Sequence, residues 1–359
     1  MFEKFGIQST PTVLFLDPDG SEVDWILGYG PPAEKYQDQV NKVLAGVDTF
    51  KSLSEQYAKD PKSIEVIFKM AGKYDRRGST EKATEFYKQV IALDPEGKKG
   101  MTEVQNEKVS YTQSAEFNLA SMAISKRPPD ASLFQAFIKK YPDSPMVKQA
   151  YTRLSSYYTR TAPKEEATKF FEEYLARFPQ DANSYSAYVS RIILDKDPLD
   201  KGIDLAQKAI SLAQDSRRPA LYQSLAQLYL LKGDKGKAVE AADQMIKIAT
   251  SLPSPPEPMP ERAVNPMMMA VPMAARIYVD AGQIDKALAV YGSEYLKQNM
   301  DNFGALGRYA QFWSAQGQNL ESALAAAEKA LEIAPAQPAQ IRESIKKRIE
   351  AIKAAQEKK

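Results

Sequence analysis

Residues 64–95 read IEVIFKMAGKYDRRGSTEKATEFYKQVIALDP. They contain two amphipathic helical patterns that meet at Gly78, and Pro95 ends the second because proline cannot continue a helix. The small side chains of Ala71 and Ala83 allow two helices to approach closely, while aromatic residues fill the space to a neighbouring unit. The sequence therefore predicts a helical hairpin over these residues.

The same pattern recurs along the chain at a spacing of about 34 to 36 residues, which is typical of stacked helix–turn–helix units. The clearest copies of the small and aromatic positions are Leu154-Ser155, Tyr158, Ala167, Phe171 and Tyr174; Tyr222, Ala226, Tyr229, Gly233, Ala238 and Ala242; Ala274-Ala275, Tyr278, Gly282, Ala287 and Tyr291; and Ala310, Ala323, Ala327 and Ala330. Weaker copies lie in residues 117–142 and 186–209, which gives about seven units. We therefore predict a mainly α fold, a right-handed α-solenoid of helix–turn–helix repeats.

This arrangement of small and aromatic residues resembles the tetratricopeptide repeat (TPR) family. The resemblance implies a scaffold that binds a protein or peptide along a concave face, which the first helix of each repeat lines. Aligning the repeats places the following residues on that face: Arg191, Gln223, Gln227, Arg276, Arg308 and Phe312. Three arginines suit an acidic or polar segment, because the guanidinium group binds carboxylates well. The alternative is that these are ordinary solvated surface residues.

The composition excludes several kinds of chemistry. The chain has no cysteine and no histidine, so it forms no disulfide, has no thiolate nucleophile and no zinc site of the usual Cys/His type. It also lacks the side chain that most often acts as a general base near neutral pH. The sequence shows no phosphate-binding glycine loop and no nucleophile motif. We expect a protein that is not an enzyme, with no catalytic residue, no cofactor and no metal.

Charge and hydropathy narrow the range of partners. The net charge is +2, with 48 basic and 46 acidic residues, so no overall attraction to nucleic acid is expected. No stretch approaches the roughly 18 to 20 apolar residues that a membrane helix needs. Residues 1–4 lack the basic and then apolar run of a secretory signal. We expect a soluble protein of either the cytoplasm or the periplasm.

The first 46 residues have a different pattern. Residues 12–16 are a short apolar and β-branched run, as expected of a buried strand. Residues 17–20, Asp-Pro-Asp-Gly, are a turn signal, and Val23, Trp25 and Leu27 alternate as in a second strand. An amphipathic helix over residues 33–44 follows. The order is therefore strand, turn, strand, helix.

This order resembles the C-terminal half of thioredoxin-like domains. The matching residues are Phe5-Gly6-Ile7, Thr10-Pro11-Thr12, Asp19-Gly20 and Gly28, and the resemblance implies that Pro11 is a cis-proline. The Cys-x-x-Cys part of that family would precede Phe2 and is not in this sequence. Two hypotheses follow. Either the chain is a fragment of a thiol–disulfide oxidoreductase or chaperone whose redox-active half is missing, or the remnant packs on the repeats as an N-terminal cap.

Two metal-site hypotheses compete with structural explanations. Asp17, Asp19 and Asp24 could begin a calcium loop, but the glutamate that ends such a loop is missing, so we expect a hairpin turn. Thioether sulfurs can hold Cu(I), or they can fill packing gaps in a methionine-rich helix, which is what we expect. The methionines concerned are Met259, Met267, Met268, Met269 and Met273.

The predicted domains follow these patterns. Residues 1–46 are the thioredoxin-like part, residues 47–252 a first block of repeats, and residues 267–340 a second block. A proline-rich connector, residues 253–266, separates the two blocks. The basic tail, residues 341–359, is expected to be a capping helix, with a nucleic-acid or membrane surface role as the alternative. Its apolar face carries Ile341, Ile345, Ile349 and Ile352.

Overall fold

The computed structural model describes residues 5–7, 10–28, 33–253, 266–334 and 339–358. Over these residues the chain is mainly helical. It divides into two compact units, Met1–Tyr157 and Tyr158–Lys359. Most of the expected proline-rich connector, with Met259, lies outside the described residues.

Unit 1 begins with an antiparallel hairpin and continues mainly as helices. Its elements are β1 (Thr12–Leu16), β2 (Glu22–Leu27), α1 (Ala33–Leu44), α2 (Phe50–Lys59), α3 (Ile64–Arg76), α4 (Thr80–Leu93), β3 (Met101–Val104), β4 (Glu107–Ser110), α5 (Tyr111–Ile124), α6 (Ser132–Lys140) and most of α7 (Val147–Arg160).

The N-terminal hairpin forms as predicted, but β1 is not the buried strand that was expected, since Val13 and Leu16 are 40% and 42% exposed. β1 and β2 pair antiparallel, with Thr12 opposite Leu27. In the turn, the amide of Gly20 donates to the carbonyl of Asp17 at 2.9 Å. Gly20 has φ +81°, a left-handed conformation that glycine adopts at low cost. Asp24 lies inside β2 and is 1% exposed, so it is not part of a calcium loop.

The helical hairpin predicted over residues 64–95 is also confirmed, as α3 and α4. Gly78 lies between them with φ +70°, and the amide of Ser79 donates to the carbonyl of Tyr74 at 2.9 Å. Ala71 and Ala83 are completely buried. The helices therefore approach closely at the alanines, as expected for a hairpin of this type.

A second hairpin, β3 and β4, was not expected from the sequence. Its turn residues Gln105 and Asn106 both have positive φ, 54° and 65°. This backbone is usual in two-residue hairpin turns, which glycine and asparagine dominate. Gln105 is an uncommon choice at such a position, so the turn signal in the sequence is weak.

Unit 2 consists of helices arranged in successive pairs. Its elements after α7 are α8 (Lys164–Arg177), α9 (Ala182–Asp195), α10 (Leu199–Leu212), a 3₁₀ turn (Asp215–Arg217), α11 (Arg218–Lys232), α12 (Lys235–Ser251), α13 (Pro266–Asp280), α14 (Ile284–Val290), α15 (Ser293–Gln298), α16 (Phe303–Gln316), α17 (Leu320–Ile333) and α18 (Ala339–Gln356).

Helices pack in the pairs α9–α10, α11–α12, α13–α14 and α16–α17. The first helix of each pair also contacts the first helix of the next pair. The helices α9, α11, α13 and α16 thus form a row of neighbours. Completely buried alanines, among them Ala226, Ala274 and Ala310, lie in this row. Small side chains at the contacts allow the helices to approach closely.

The last helix covers the end of the row. α18 packs against α17 and α16, and its residues Ile345 and Ile352 are buried. Two of its basic side chains bond to the chain itself, since Arg342 donates to the carbonyl of Ala334 at 2.8 Å and Arg348 to that of Gly307 at 3.0 Å. The apolar face of this helix is therefore used for packing.

Candidate functional site

Arg191, the first residue expected on the binding face, is a buried structural residue. Its Nη1 donates to the carbonyl of Tyr158 at 3.0 Å and to that of Ala162 at 2.8 Å. Its Nε donates to the Asp195 carboxylate at 2.7 Å. Arg191 is 7% exposed, so the expectation that it contacts a partner is corrected: its donors bind the end of α7 and the loop after it.

The next expected residues lie on the first helices of two later pairs. Gln223 is half-buried and Gln227 is exposed, one turn apart on α11. Arg276 is exposed on α13, and its Nε donates to the Asp280 carboxylate at 3.0 Å. Because both groups of this pair reach solvent, the interaction is worth only about 0–1 kcal/mol. A ligand carboxylate can compete for Arg276.

Arg308 and Phe312 lie one turn apart on α16. Arg308 is exposed and makes no salt bridge with any residue that the structure describes. Phe312 is half-buried, and its ring packs on Tyr291 and Trp313 with centroids 5.2 Å and 4.9 Å apart. Phe312 is therefore partly a core residue.

Tyr291 and Tyr295 are close enough to Arg308 for its charge to act on their hydroxyls. Their hydroxyl oxygens are buried and have no hydrogen-bond partner among the described residues. Burial raises the pKa of both hydroxyls, and the positive charge of Arg308 partly opposes this rise. Arg308 is thus a charged group close to the aromatic cluster that includes Tyr291 and Tyr295.

Sequence analysis missed a cavity of about 550 Å³ in unit 1. It lies between β2, α1, α2 and α3, elements that are distant in sequence. Its walls include the apolar side chains of Ile26, Val43 and Leu53, all buried. Leu27 and Val47 also line it and are 37% and 52% exposed. Part of the apolar wall is therefore open to solvent.

A buried cluster of ion pairs lies at one side of this cavity. The carboxylate of Asp24 contacts Lys73 Nζ and lies 3.2 Å from Arg77 Nη2. Arg77 Nη2 is also 2.6 Å from the Glu22 carboxylate. Burial lowers the pKa of Lys73, and the negative charge of Asp24 partly opposes this effect. The cluster links β2 to α3.

Aromatic rings hold the Arg77 guanidinium in place. It lies 3.9 Å from the ring centroid of Phe50 and 4.8 Å from that of Trp25, distances at which a cation is attracted to the ring. The Nε of Arg77 is buried and has no hydrogen-bond acceptor among the described residues. Arg77 therefore presents an unused donor in a fixed position.

The cations nearer the cavity mouth differ in their pairing. Lys69 pairs with Asp48 at 3.0 Å and with Glu65 at 2.7 Å. Lys42 and Arg76 also line the cavity and are exposed, and neither makes a salt bridge within the described part of unit 1. The alternation in the sequence indicated Val23, Trp25 and Leu27 as the apolar face of β2. The structure instead buries Asp24 and Ile26 on the other face, because that face lies against the helices.

The methionine-rich segment makes packing contacts. Thr250 Oγ1 donates to the sulfur of Met267 at 3.4 Å, and Asn302 Nδ2 lies 3.8 Å from the sulfur of Met268. Among the residues that the structure describes, no group of three or more Asp or Glu side chains is arranged to hold a metal ion. No described helix is both long and apolar enough to cross a lipid bilayer.

Comparison with known proteins identifies one repeat. Residues 219–251, which are α11 and α12, match the family model of the tetratricopeptide repeat. No protein of curated function matches this sequence. A tetratricopeptide repeat protein from Parabacteroides merdae has a similar structure, with 13% identity and a TM-score of 0.50, over 81% of this chain and 99% of that one.

Two other solved structures are more distant. Yeast Tom70 aligns with 15% identity and a TM-score of 0.45, over 91% of this chain and 62% of that one. YrrB, described as a TPR protein with an unusual peptide-binding site, aligns with 16% identity and a TM-score of 0.35, over 61% of this chain and 100% of that one. The chain thus contains a tetratricopeptide repeat at residues 219–251 and shares the helical repeat fold of a TPR protein over most of its length.

Proposed function

We propose that the protein is a non-catalytic interaction scaffold that binds a peptide or protein segment on the first-helix row of unit 2, its expected concave face. The observation that carries this proposal is the placement of Gln227, Arg276 and Arg308. All three are exposed, and they lie on α11, α13 and α16, which are neighbours in the row.

The chemistry of these side chains favours an acidic segment. Arg308 has no salt-bridge partner in the described part of unit 2, and the Asp280 partner of Arg276 reaches solvent. Guanidinium groups bind carboxylates through two parallel hydrogen bonds. The amides of Gln223 and Gln227 can bond to a peptide backbone. Arg191 does not belong to this surface.

The double variant R276A/R308A tests the proposal. We expect an acidic ten-residue peptide to bind the wild type with a Kd in the micromolar range, about −8 kcal/mol. We expect the variant to bind it about tenfold or more weakly, because hydrogen bonds to charged groups contribute about 1.5–3 kcal/mol each. Fluorescence anisotropy with labelled peptides, at low and at moderate salt, measures this.

The control is K208A/K247A, which removes the same charge from exposed positions on the second helices α10 and α12. It should bind like the wild type. Equal loss in both variants would mean that net charge, and not this surface, attracts the peptide. Equal affinity for length-matched neutral peptides would contradict the preference for acidic segments.

We also propose that residues 1–46 are related to the C-terminal half of thioredoxin-like domains. The antiparallel hairpin followed by α1, which contacts β2, supports the relation, and the Thr10–Pro11 peptide bond is cis. An NMR structure tests it. The hairpin and α1 should superpose on those of a thioredoxin-like domain, with the helix on the same face, and a helix on the opposite face would contradict the relation.

A further inference from the structure

We infer that the cavity in unit 1 binds a carboxylate carried on an apolar body. This site is separate from the first-helix row, and its chemistry comes from β2, α1 and α3. Its volume of about 550 Å³ lies in the range of about 300–1,000 Å³ that is usual for ligand sites.

The apolar wall fits the body of such a ligand. Leu27 and Val47 line the cavity and are exposed, while Ile26 and Val43 continue the same wall towards the interior. Covering apolar surface is favourable by about 25 cal/mol per Å². A ligand that covers this wall gains free energy without displacing any protein group.

The charges around the cavity leave two cations unpaired. Asp24 and Glu22 neutralise Lys73 and Arg77, and Asp48 and Glu65 do the same for Lys69. Five cations line the cavity, Lys42, Lys69, Lys73, Arg76 and Arg77. Against the four carboxylates the balance is +1, because Lys69 has two of them. Lys42 and Arg76 make no salt bridge with any described residue, although the charge of Arg76 acts on the Asp75 carboxyl.

The Arg77 side chain adds a preorganised donor. It is 9% exposed, it is fixed between Phe50 and Trp25, and its Nε lacks an acceptor among the described residues. A buried donor without an acceptor is costly, but this nitrogen is itself covered, so a ligand oxygen bonds to it only after the side chain shifts. The preference for an anionic group over a neutral one comes from the positive charges of Lys42 and Arg76, which line the cavity and are exposed.

Two kinds of ligand carry a carboxylate on an apolar body: a peptide with a free C-terminus and a free organic acid. Three probes separate them: the peptide acetyl-Ala-Ala-Ala-Leu-Phe with a free carboxylate, its C-terminal amide, and octanoate. Trp25 lines the cavity and reports binding by its fluorescence. The other tryptophan, Trp313, is buried in unit 2, and the W313F background removes its signal. Isothermal titration calorimetry of the wild type checks that the W313F substitution does not change the binding affinity.

We expect saturable binding of at least one carboxylate probe, and at least fivefold weaker binding of the amide. K42A/R76A should weaken the carboxylate probe at least fivefold, whereas K59A/K62A, at exposed positions of the same unit, should not. Binding of the peptide alone assigns the site to a C-terminus, binding of octanoate alone to an organic acid, and binding of both to the shared chemistry.

Three results would overturn the inference: no saturable binding of either carboxylate, equal binding of the amide, or unchanged affinity in K42A/R76A with a folded far-UV spectrum. None of these results bears on the peptide site of unit 2, which R276A/R308A tests independently.

Discussion

The Asp24→Asn variant should lose about 3 kcal/mol or more of the free energy that holds the N-terminal hairpin on α3. Asp24 is 1% exposed, and its carboxylate contacts Lys73 and Arg77. The amide has nearly the same shape but carries no charge, so two cations remain buried without this partner. Removing one side of a buried ion pair costs about 3–5 kcal/mol for this reason. Hydrogen exchange of the β1 and β2 amides and Trp25 fluorescence in urea measure the loss.

Asp38→Asn is the matched control, because Asp38 is exposed on α1 and its substitution should change stability little. The double variant D24N/K73M should recover part of the loss, since it removes one of the orphaned cations. If D24N exchanges its hairpin amides as slowly as the wild type, the ion-pair cluster does not hold the hairpin.

The pKa of Lys73 in this ion-pair cluster determines how its contribution to folding stability changes with pH. Burial lowers the pKa of Lys73 below its ordinary value of 10.5, so the folded state releases this proton at a lower pH than the unfolded chain does. Between the two pKa values the unfolded state binds more protons, so the contribution of Lys73 to stability rises with pH. Burial raises the pKa of Tyr87, and its contribution has the opposite sign, so the comparison of D24N with the wild type isolates Lys73. In D24N the opposing negative charge is absent, so this rise towards pH 10.5 should be steeper than in the wild type. Urea unfolding at several alkaline pH values measures the slope.

Turn and packing residues within a short stretch of sequence were sufficient to predict two of the hairpins. The hairpin α3–α4 was predictable because Gly78 marks the turn and Ala71 and Ala83 mark the close contact between its helices. The turn at residues 17–20 likewise identified the N-terminal hairpin. In contrast, the β3–β4 hairpin turns at Gln105 and Asn106, where the sequence has no glycine to indicate positive φ.

Contacts between distant segments were not predictable. The cavity of unit 1 arises because β2, α1 and α3 come together, and Lys42 and Arg76 belong to different helices. Arg191 shows the same limit, since repeat alignment gives its position on α9 but not its environment. Its backbone acceptors, Tyr158 and Ala162, are 33 and 29 residues earlier. A polar side chain on a first helix can therefore bind the preceding repeat instead of a ligand.

The Arg191→Met variant should lose about 3 kcal/mol of stability in unit 2. Methionine keeps much of the apolar stem but removes the donors to two backbone carbonyls, and each orphaned group costs about 1–3 kcal/mol. It also leaves Asp195, whose side chain is 17% exposed, without its partner. Arg191→Lys keeps the charge but not the planar set of donors, so we expect an intermediate loss. Hydrogen exchange of the α7–α9 amides and urea unfolding of the full chain measure these differences.

Arg276→Met is the matched control, because the Arg276 side chain is 60% exposed and pairs with Asp280 in the same i,i+4 arrangement. Its substitution should change stability by less than about 0.5 kcal/mol, while peptide affinity falls. Arg191→Met should behave in the opposite way, with lower stability and, in the folded fraction, unchanged affinity. Normal stability together with lost affinity in Arg191→Met would show that Arg191 contacts the ligand after all. Comparing the two variants thus distinguishes an arginine that stabilises the repeats from one that is available to a partner.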